Sequence, residues 1–454
     1  MTFVAPAATR ITCVSIEYAG LSRLEGAAVR ILNIGYRATE FVFASSRAME
    51  ESLERYTSHE TMHFNAARSK IPGYLRKWDP DLVVIHHMAL TVRTGREYER
   101  LLELLSSLRS WRAVKVAVTS DETWAVDRVV KMLHAAGVSH VFTFANAEAI
   151  PIIYSDLDDS VRIHRVLSAY VDPDMVEDCA EIQRAVPVRD IDLGSRLAGN
   201  PMLGDWGQLR LTVPRRLANR VEAAGMTADV KVGYEGGSDA WLRFLTRCRF
   251  QGGVETGSSF LDRDGSLLDY YSVCPDATLE EVHRLFPHLE GTIDYRALAP
   301  RHLEAVIARC GQILYEGEYS GVLVPERHYI PLRRDFGNLA DVVERMKDET
   351  ARIAMTERAY ADIVESGEYG YDRFAWSLVA LSEVHAPNRP TNPLLRVRNE
   401  WAERRFIVLA ALNRKSTVTR QNVQDKVKRT LRPVAARFIG EDRLRILLRR
   451  MRGH

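Results

Sequence analysis

Residues 81–144 read DLVVIHHMALTVRTGREYERLLELLSSLRSWRAVKVAVTSDETWAVDRVVKMLHAAGVSHVFTF. Three short apolar runs punctuate this stretch: Asp81–Ile85, Lys115–Thr119 and Val141–Phe144. Each is too short for a helix and too uniformly apolar for a half-exposed strand, so each reads as a strand covered on both faces. Between them, Tyr98, Leu101, Leu102, Leu105 and Leu108 recur at helical spacing. Val129, Val130 and Leu133 do the same before Ala135-Ala136-Gly137, where glycine suits a helix stop. With the earlier run Arg30–Ile34, the alternation predicts a doubly wound α/β domain with a parallel sheet.

The pattern pauses at Asp172-Pro173 and restarts. Arg210–Ala224 reads as a helix ending at Gly225, Asp229–Val232 as a strand and Ala240–Cys248 as a helix. Phe250–Val254 is a strand running into the polar turn Glu255-Thr256-Gly257-Ser258-Ser259. Pro300–Cys310 is a helix, Gln312–Tyr315 a strand, and helices follow around residues 339–346 and 350–366. The fold class expected is therefore two Rossmann-like α/β domains facing a cleft, over residues 1–172 and 173–385. A proline-rich linker, Ala386–Pro393, leads to a basic helical tail, 386–454 in all.

Composition supports a folded, water-soluble body. Of 454 residues, 46% are hydrophobic and 27% charged, which excludes a collagen-like or wholly disordered chain. The net charge of +2 is a cancellation. Residues 404–454 carry 15 Lys/Arg against three acidic residues, a net +12, which leaves −10 on residues 1–403. The five cysteines, at 13, 179, 248, 274 and 310, are scattered, with no metal-binding or disulfide spacing, as expected in a reducing cytosol. Met1–Thr9 lacks the pattern of a secretory signal, and no apolar run approaches a membrane span. The expected location is cytoplasmic, peripheral at the inner face of the membrane if a membrane is met at all.

There is no GxGxxG after a strand, no GxxxxGK[ST], no GxSxG and no HExxH, which disfavours the common dinucleotide, P-loop, serine-hydrolase and zinc-protease chemistries. What remains is a cleft at the carboxyl ends of two parallel sheets. Pro300 fits the first helical position, and Arg301 and Glu304 share a face distinct from the apolar one. A helix N-terminus with an arginine in its first turn can hold a phosphate, and a glutamate one turn on can accept from ribose hydroxyls. The competing expectation is an Arg–Glu pair on a solvated face. Glu316–Gly321, with Glu318, Tyr319 and Ser320, offers a ligand loop or a plain turn. Glu255–Ser259 offers N–H groups and hydroxyls that could cradle a diphosphate, or a tight turn.

Taken in order, GVETGSSFLDRDG (253–265), APRHLEA (299–305), ILYEGEYSGVLVPERHYIPLRRDFGNLADVV (313–343) and ERAYADIVESGEYGYDRF (357–374) resemble the C-terminal domain of GT-B-type glycosyltransferases of the CgeB-like, group 1-like kind. The strand DIDLGSRL (190–197) resembles the start of that domain. The resemblance covers about a third of the chain and implies a nucleotide-diphosphate-sugar donor. It places Arg301 at the diphosphate, Glu304 at the ribose, and Glu255, Thr256, Gly257, Ser258, Ser259, Glu318, Tyr319 and Ser320 around the donor. It also implies an acceptor on the N-terminal domain, and a last helix, Tyr371–Val384, that crosses back to it. One departure is visible: better-known GT-B enzymes often carry two glutamates eight apart here, whereas Glu304 and Glu316 are twelve apart.

Transfer needs a stabilised leaving diphosphate and, in an inverting enzyme, a base. Asp121, after KVAVTS, is the first candidate base and His87 the second; helix capping is the alternative for Asp121. Asp262-Arg263-Asp264 has a DxD form but precedes glycine and reads as a turn. No metal site and no required cofactor are therefore expected. In the tail, Leu444, Leu447, Leu448 and Met451 lie on one face amid arginines, suiting an anionic membrane surface; packing on the acidic body is the competing expectation, and nucleic acid the less favoured partner. The expected function is a metal-independent hexosyltransferase of polysaccharide biosynthesis, acting on a glycan, lipid-linked or protein acceptor. The alternatives are a non-catalytic GT-B-like binding module and a nucleotide-sugar epimerase.

Overall fold

The computed structural model describes residues 28–37, 44–185, 188–233, 238–382, 384, 389 and 394–410. The linker Ala386–Pro393, but for Arg389, and the tail helix expected around Leu444–Met451 lie outside the described residues. Described residues up to 36 and from 44 to 389 belong to one compact unit, and Arg37 with 394–410 to a second.

In the first unit the strands are β1 (Arg30–Gly35), β2 (Glu60–Asn65), β3 (Leu82–Ile85), β4 (Val114–Thr119), β5 (His140–Thr143) and β6 (Arg162–Arg165). They form one sheet of order β2-β1-β3-β4-β5-β6 in which every pairing is parallel. All four residues of β3 and of β5 are buried, as their apolar runs require when helices cover both faces. Each such side chain contributes about 1.5–3 kcal/mol by leaving water.

Next come β7 (Ile191–Leu197), β8 (Ala228–Val232), β9 (Cys248–Gly253), β10 (Thr256–Ser258), β11 (Tyr295–Ala297), β12 (Gly311–Tyr315) and β13 (Ile330–Leu332). Five of them form a second sheet, β13-β12-β9-β7-β8, again wholly parallel. The architecture is two doubly wound, Rossmann-like α/β layers. The core of the second is built on Leu193, Val213, Leu217, Val221, Phe250, Ile313, Leu332 and Val342.

Two readings of the sequence change. Residues 255–259 are not an open turn: Thr256–Ser258 is β10, paired antiparallel with β11. The helix expected from Arg210 begins at Gly204 and runs to Ala223. Its first turn is held from outside, since Asp205 N donates to Glu290 and Trp206 N to Ser259 Oγ, so the helix extends upstream of its apolar repeat.

The two sheets meet at their carboxyl ends. Asp262 N donates to Thr123 O, Val126 N donates to Asp262 O, and Asn146 bonds Asp294 O and Arg296 N. The helix Tyr371–Leu381 returns to the first sheet: Tyr371 OH donates to Ser45 O on the helix Ala44–Tyr56, and its ring lies 5.6 Å from that of Tyr170.

Candidate functional site

The helix Pro300–Ile307 carries proline at its start, where the missing N–H is no loss. Arg301 and Glu304 do not pair on a solvated face. The Arg301 guanidinium donates to Val254 O, at the end of β9. Glu304 accepts from the Trp241 indole N–H at 2.6 Å. Burial first, then repulsion from Arg210, pushes Arg301 down to about 9. Burial raises Glu304 against the lowering effects of Trp241 and Arg301. Between them His302 is fully buried, with Nε2 at Val254 O and Nδ1 at Gln312 Oε1. Burial holds it neutral, at about 3.

Arg210 was not singled out from the sequence. It projects from the helix Gly204–Ala223, half-buried, and among the described residues its guanidinium makes no hydrogen bond. Burial lowers its pKa, and the charge of Asp121 opposes that shift. Arg301 and Arg210 are near enough to repel each other, and the carboxylate of Asp121 acts on Arg210; Arg301 bonds Val254 O just past β9, and Asp121 lies just past β4. A signal was available: Arg210 is in line with Trp206, Val213, Leu217 and Val221, all buried, and a cation on an apolar stripe is anomalous. Two guanidinium groups with so few partners can receive an anion.

Asp121, the first candidate base, is exposed at the end of β4 with φ +51°. It caps no helix. The following helix, Val126–Ala136, has Ala125 at its cap with no side-chain bond. The loop is held instead by buried Arg93, whose fork donates to the carbonyls of Leu90, Ser120, Asp121 and Trp124. Positive φ in a non-glycine residue costs about 1–3 kcal/mol and persists where the surroundings enforce it. The next residue, Glu122, is 1% exposed and accepts from Thr119, Thr143 and Tyr295 hydroxyls, a network across both halves that the sequence did not reveal.

His87 opens the short helix His87–Leu90, with Nε2 3.1 Å from Ser46 Oγ. Its buried Nδ1 has no hydrogen-bond partner, and burial lowers it to about 4, so it is neutral near pH 7. It shares no hydrogen bond with Asp121.

The donor-loop residues divide. Glu255 is 3% exposed and its carboxylate accepts from Tyr319 N (2.6 Å) and Glu318 N (3.3 Å). Burial raises its pKa; the N–H bonds oppose this. It therefore fixes the Glu316–Gly321 loop, in which Tyr319, Ser320 and Gly321 all have positive φ. Glu318 is exposed, and Ser320 Oγ accepts from Leu298 N. Tyr319 is fully buried with its hydroxyl on Tyr315 O, so its side chain is a core group and does not line a ligand surface. The cradle expected of Thr256, Gly257, Ser258 and Ser259 is also corrected. Gly257 packs so closely that a Cβ would lie 2.3 Å from Tyr295 O. Ser258 Oγ donates to Phe260 O, and Ser259 Oγ serves Trp206 N and Leu203 O. Thr256 is half-buried.

Of the DxD form, Asp262 accepts from Leu267 N and Leu268 N and Asp264 from Ser266 N, so both cap the helix Ser266–Val273. Among the described residues, Asp205, His283 and Glu290 lie close enough to share a cation. Here His283 Nε2 is 2.9 Å from a Glu290 oxygen that also caps the helix Gly204–Ala223.

A narrow crevice of about 10 Å³, room for about one water, lies between the helix Ala44–Tyr56 and the helix Pro300–Ile307, lined by Ala44, Ser45, Tyr170, Pro300, Glu304 and Tyr371. The small residues Ala44 and Ser45 leave the room, and Glu304 supplies a carboxylate wall.

No protein-family model matches this chain, and no curated relative does. Solved structures with some likeness include HepE of Anabaena in complex with UDP-glucose, at 11% identity over 78% of this chain and 100% of that one, TM-score 0.44. An alpha-glucosyltransferase in complex with UDP-glucose and DNA containing an abasic site aligns at 10% identity over 78% and 99%, TM-score 0.47. A structure described as trehalose-6-phosphate from E. coli bound with UDP-2-fluoro glucose aligns at 10% identity over the same shares, TM-score 0.42. At that similarity the fold rests on the strand order and register above.

Proposed function

We propose that this chain is a metal-independent glycosyltransferase of the GT-B, CgeB-like kind. It moves a hexose from a nucleotide-diphosphate sugar to a glycan, lipid-linked or protein acceptor. The observation that carries the reading is the convergence of Arg210 and Arg301, both dehydrated and one without a hydrogen bond, opposite Asp121 at the carboxyl ends of two parallel sheets. Residues 173–385 hold the donor and residues 1–172 the acceptor.

In this reading the two guanidinium groups take the diphosphate. Glu304, in the crevice, accepts from ribose hydroxyls. The acceptor hydroxyl oxygen forms a bond to the sugar's anomeric carbon as the bond from that carbon to the diphosphate oxygen breaks. The electron pair leaves on the nucleoside diphosphate, stabilised by Arg210 and Arg301. The acceptor proton passes to the Asp121 carboxylate in an inverting reaction, with His87 the second candidate base. Glu318 and Ser320, in the loop that Glu255 fixes, line the donor side. The basic C-terminal segment places the enzyme at the cytoplasmic face of an anionic membrane. Among the described residues no helix is long and apolar enough to cross one.

The test is thermal shift and sugar turnover against UDP-, GDP-, dTDP- and CMP-sugars, the last lacking a diphosphate. A diphosphate sugar should stabilise the protein, and Arg301→Ala and Glu304→Ala should each remove most turnover. Undiminished transfer in both variants would sink the reading. Donor binding without transfer would mark a binding module, and donor isomerisation without acceptor an epimerase.

A further inference from the structure

Residues 394–410 form a helix that is turned the wrong way round for a water-soluble surface. Leu394 (83% exposed), Val397 (62%), Trp401 (62%) and Val408 (57%) are spaced three, four and seven apart, so they share one face, and that face is bare. Asn399 (2%) and Glu403 (9%), in contrast, are buried. Single exposed apolar residues are ordinary, but an exposed apolar stripe interrupted only by Arg404 and Arg405, beside buried polar groups, marks an interaction surface.

We infer that the Leu394–Val397–Trp401–Val408 face is the element that inserts, in plane, into an anionic lipid surface. This deepens the membrane part of the proposed function and stands independently of the donor chemistry. Three observations select lipid as the occupant. The first is charge: Arg398, Arg404 and Arg405 lie beside or within the stripe, and residues 394–454 carry 17 Lys/Arg against five Asp/Glu, while the rest of the chain is acidic. A bilayer with anionic headgroups complements that segment and repels the body, which orients the protein. The second is Trp401, central on the stripe with the Arg405 guanidinium 5.3 Å from its ring; an amphipathic indole beside a long basic side chain suits the headgroup boundary. The third is length. Seventeen residues reach about 25 Å and include six charges, which fits lying in the interface and not spanning it. Base recognition would want several aromatics, and this face has one.

The experiment uses the full-length protein and the double variant Val397→Glu/Trp401→Glu. Both positions are exposed, so the thermal midpoint serves as a folding control. Sedimentation is measured with phosphatidylcholine vesicles and with vesicles containing about a third phosphatidylglycerol. The expected result is binding to the anionic vesicles that weakens with salt and falls roughly tenfold or more in the folded double variant. Undiminished binding of that variant, or no binding by the wild type, overturns the inference. So does concentration-dependent self-association, or nucleic-acid binding, that the variant loses in place of vesicle binding. Nucleotide-sugar thermal shifts on the same samples separate the two readings: vesicle binding without a donor shift removes only the donor site, and the reverse removes only this one.

Discussion

The Tyr295 hydroxyl donates to Glu122 Oε2 at 3.1 Å, tying β11 in the second half of the chain to the end of β4 in the first. Glu122 also accepts from Thr119 Oγ1 at 3.0 Å and Thr143 Oγ1 at 2.6 Å, so a buried carboxylate is solvated entirely by protein hydroxyls. The residue beside it is Asp121, so the bond positions the candidate base as well as joining the sheets.

Tyr295→Phe should therefore cost about 1–3 kcal/mol, since it leaves a buried carboxyl oxygen short of one donor. Urea unfolding measures this. A loss near zero would mean that Glu122 is satisfied without Tyr295 and that the sheets do not depend on the contact.

Arg210→Met should behave differently. With no hydrogen bond to lose, and with relief of its repulsion against Arg301, the free protein should keep or raise its thermal midpoint. Binding of a nucleoside diphosphate should weaken about 10- to 100-fold, the worth of one charge-assisted contact. A marked drop in midpoint with intact nucleotide binding would assign Arg210 a structural role.

Gly317→Ala places a Cβ 2.2 Å from Glu255 Oε2, the oxygen facing Glu318 N. Disruption of the loop should cost about 1–3 kcal/mol and raise the donor KM. In the background Glu255→Ala the same substitution should cost much less, because the clash is gone. Additive effects in that double-mutant cycle would show that Glu255 does not hold the loop.

Stability should fall as pH drops below about 6.5. His302 and His87 are held near 3 and 4 by burial, against an ordinary value of 6.5. Between those limits the unfolded chain binds protons that the folded chain refuses, so the folded state loses stability as pH falls and regains it as pH rises. Thermal midpoints from pH 7 to pH 4 should therefore decline, less steeply in His302→Gln than in the wild type. Equal slopes would show that His302 is protonated in the fold.

Much of this molecule is legible in one dimension. Runs such as Leu82–Ile85 and Val116–Val118 read as strands with both faces covered, because three or four successive apolar residues bounded by turns and helical repeats are too short for a helix of their own. Arg301 and Glu304 were legible because Pro300 marks a helix start and the two share a face apart from the apolar one. Arg210 escaped notice among the arginines of its own helix, Arg215, Arg216 and Arg220, because what distinguishes it is the half of the protein it faces. Glu122 escaped because its four donors lie 3, 21, 32 and 173 residues away. The Ser258 and Ser259 hydroxyls suggested a ligand cradle because side-chain chemistry alone does not say who the partner is.

The sequence by itself determined the two wound sheets, since periodicity and strand length are local consequences of which side chains leave water. It also determined the division of charge into an acidic body and a basic end. Only the tertiary structure decided which polar groups are spent and which are available. Glu255 is consumed by backbone N–H groups 63 and 64 residues away, and Asp262, Tyr319 and Ser258 by backbone groups within six residues that the local turns aim at them. Arg210, Arg301 and Asp121 are brought together from three separate elements, with one guanidinium left without a hydrogen bond. The reason is that hydrogen-bond satisfaction is a property of the assembled surroundings, whereas burial of an apolar run is written in the run.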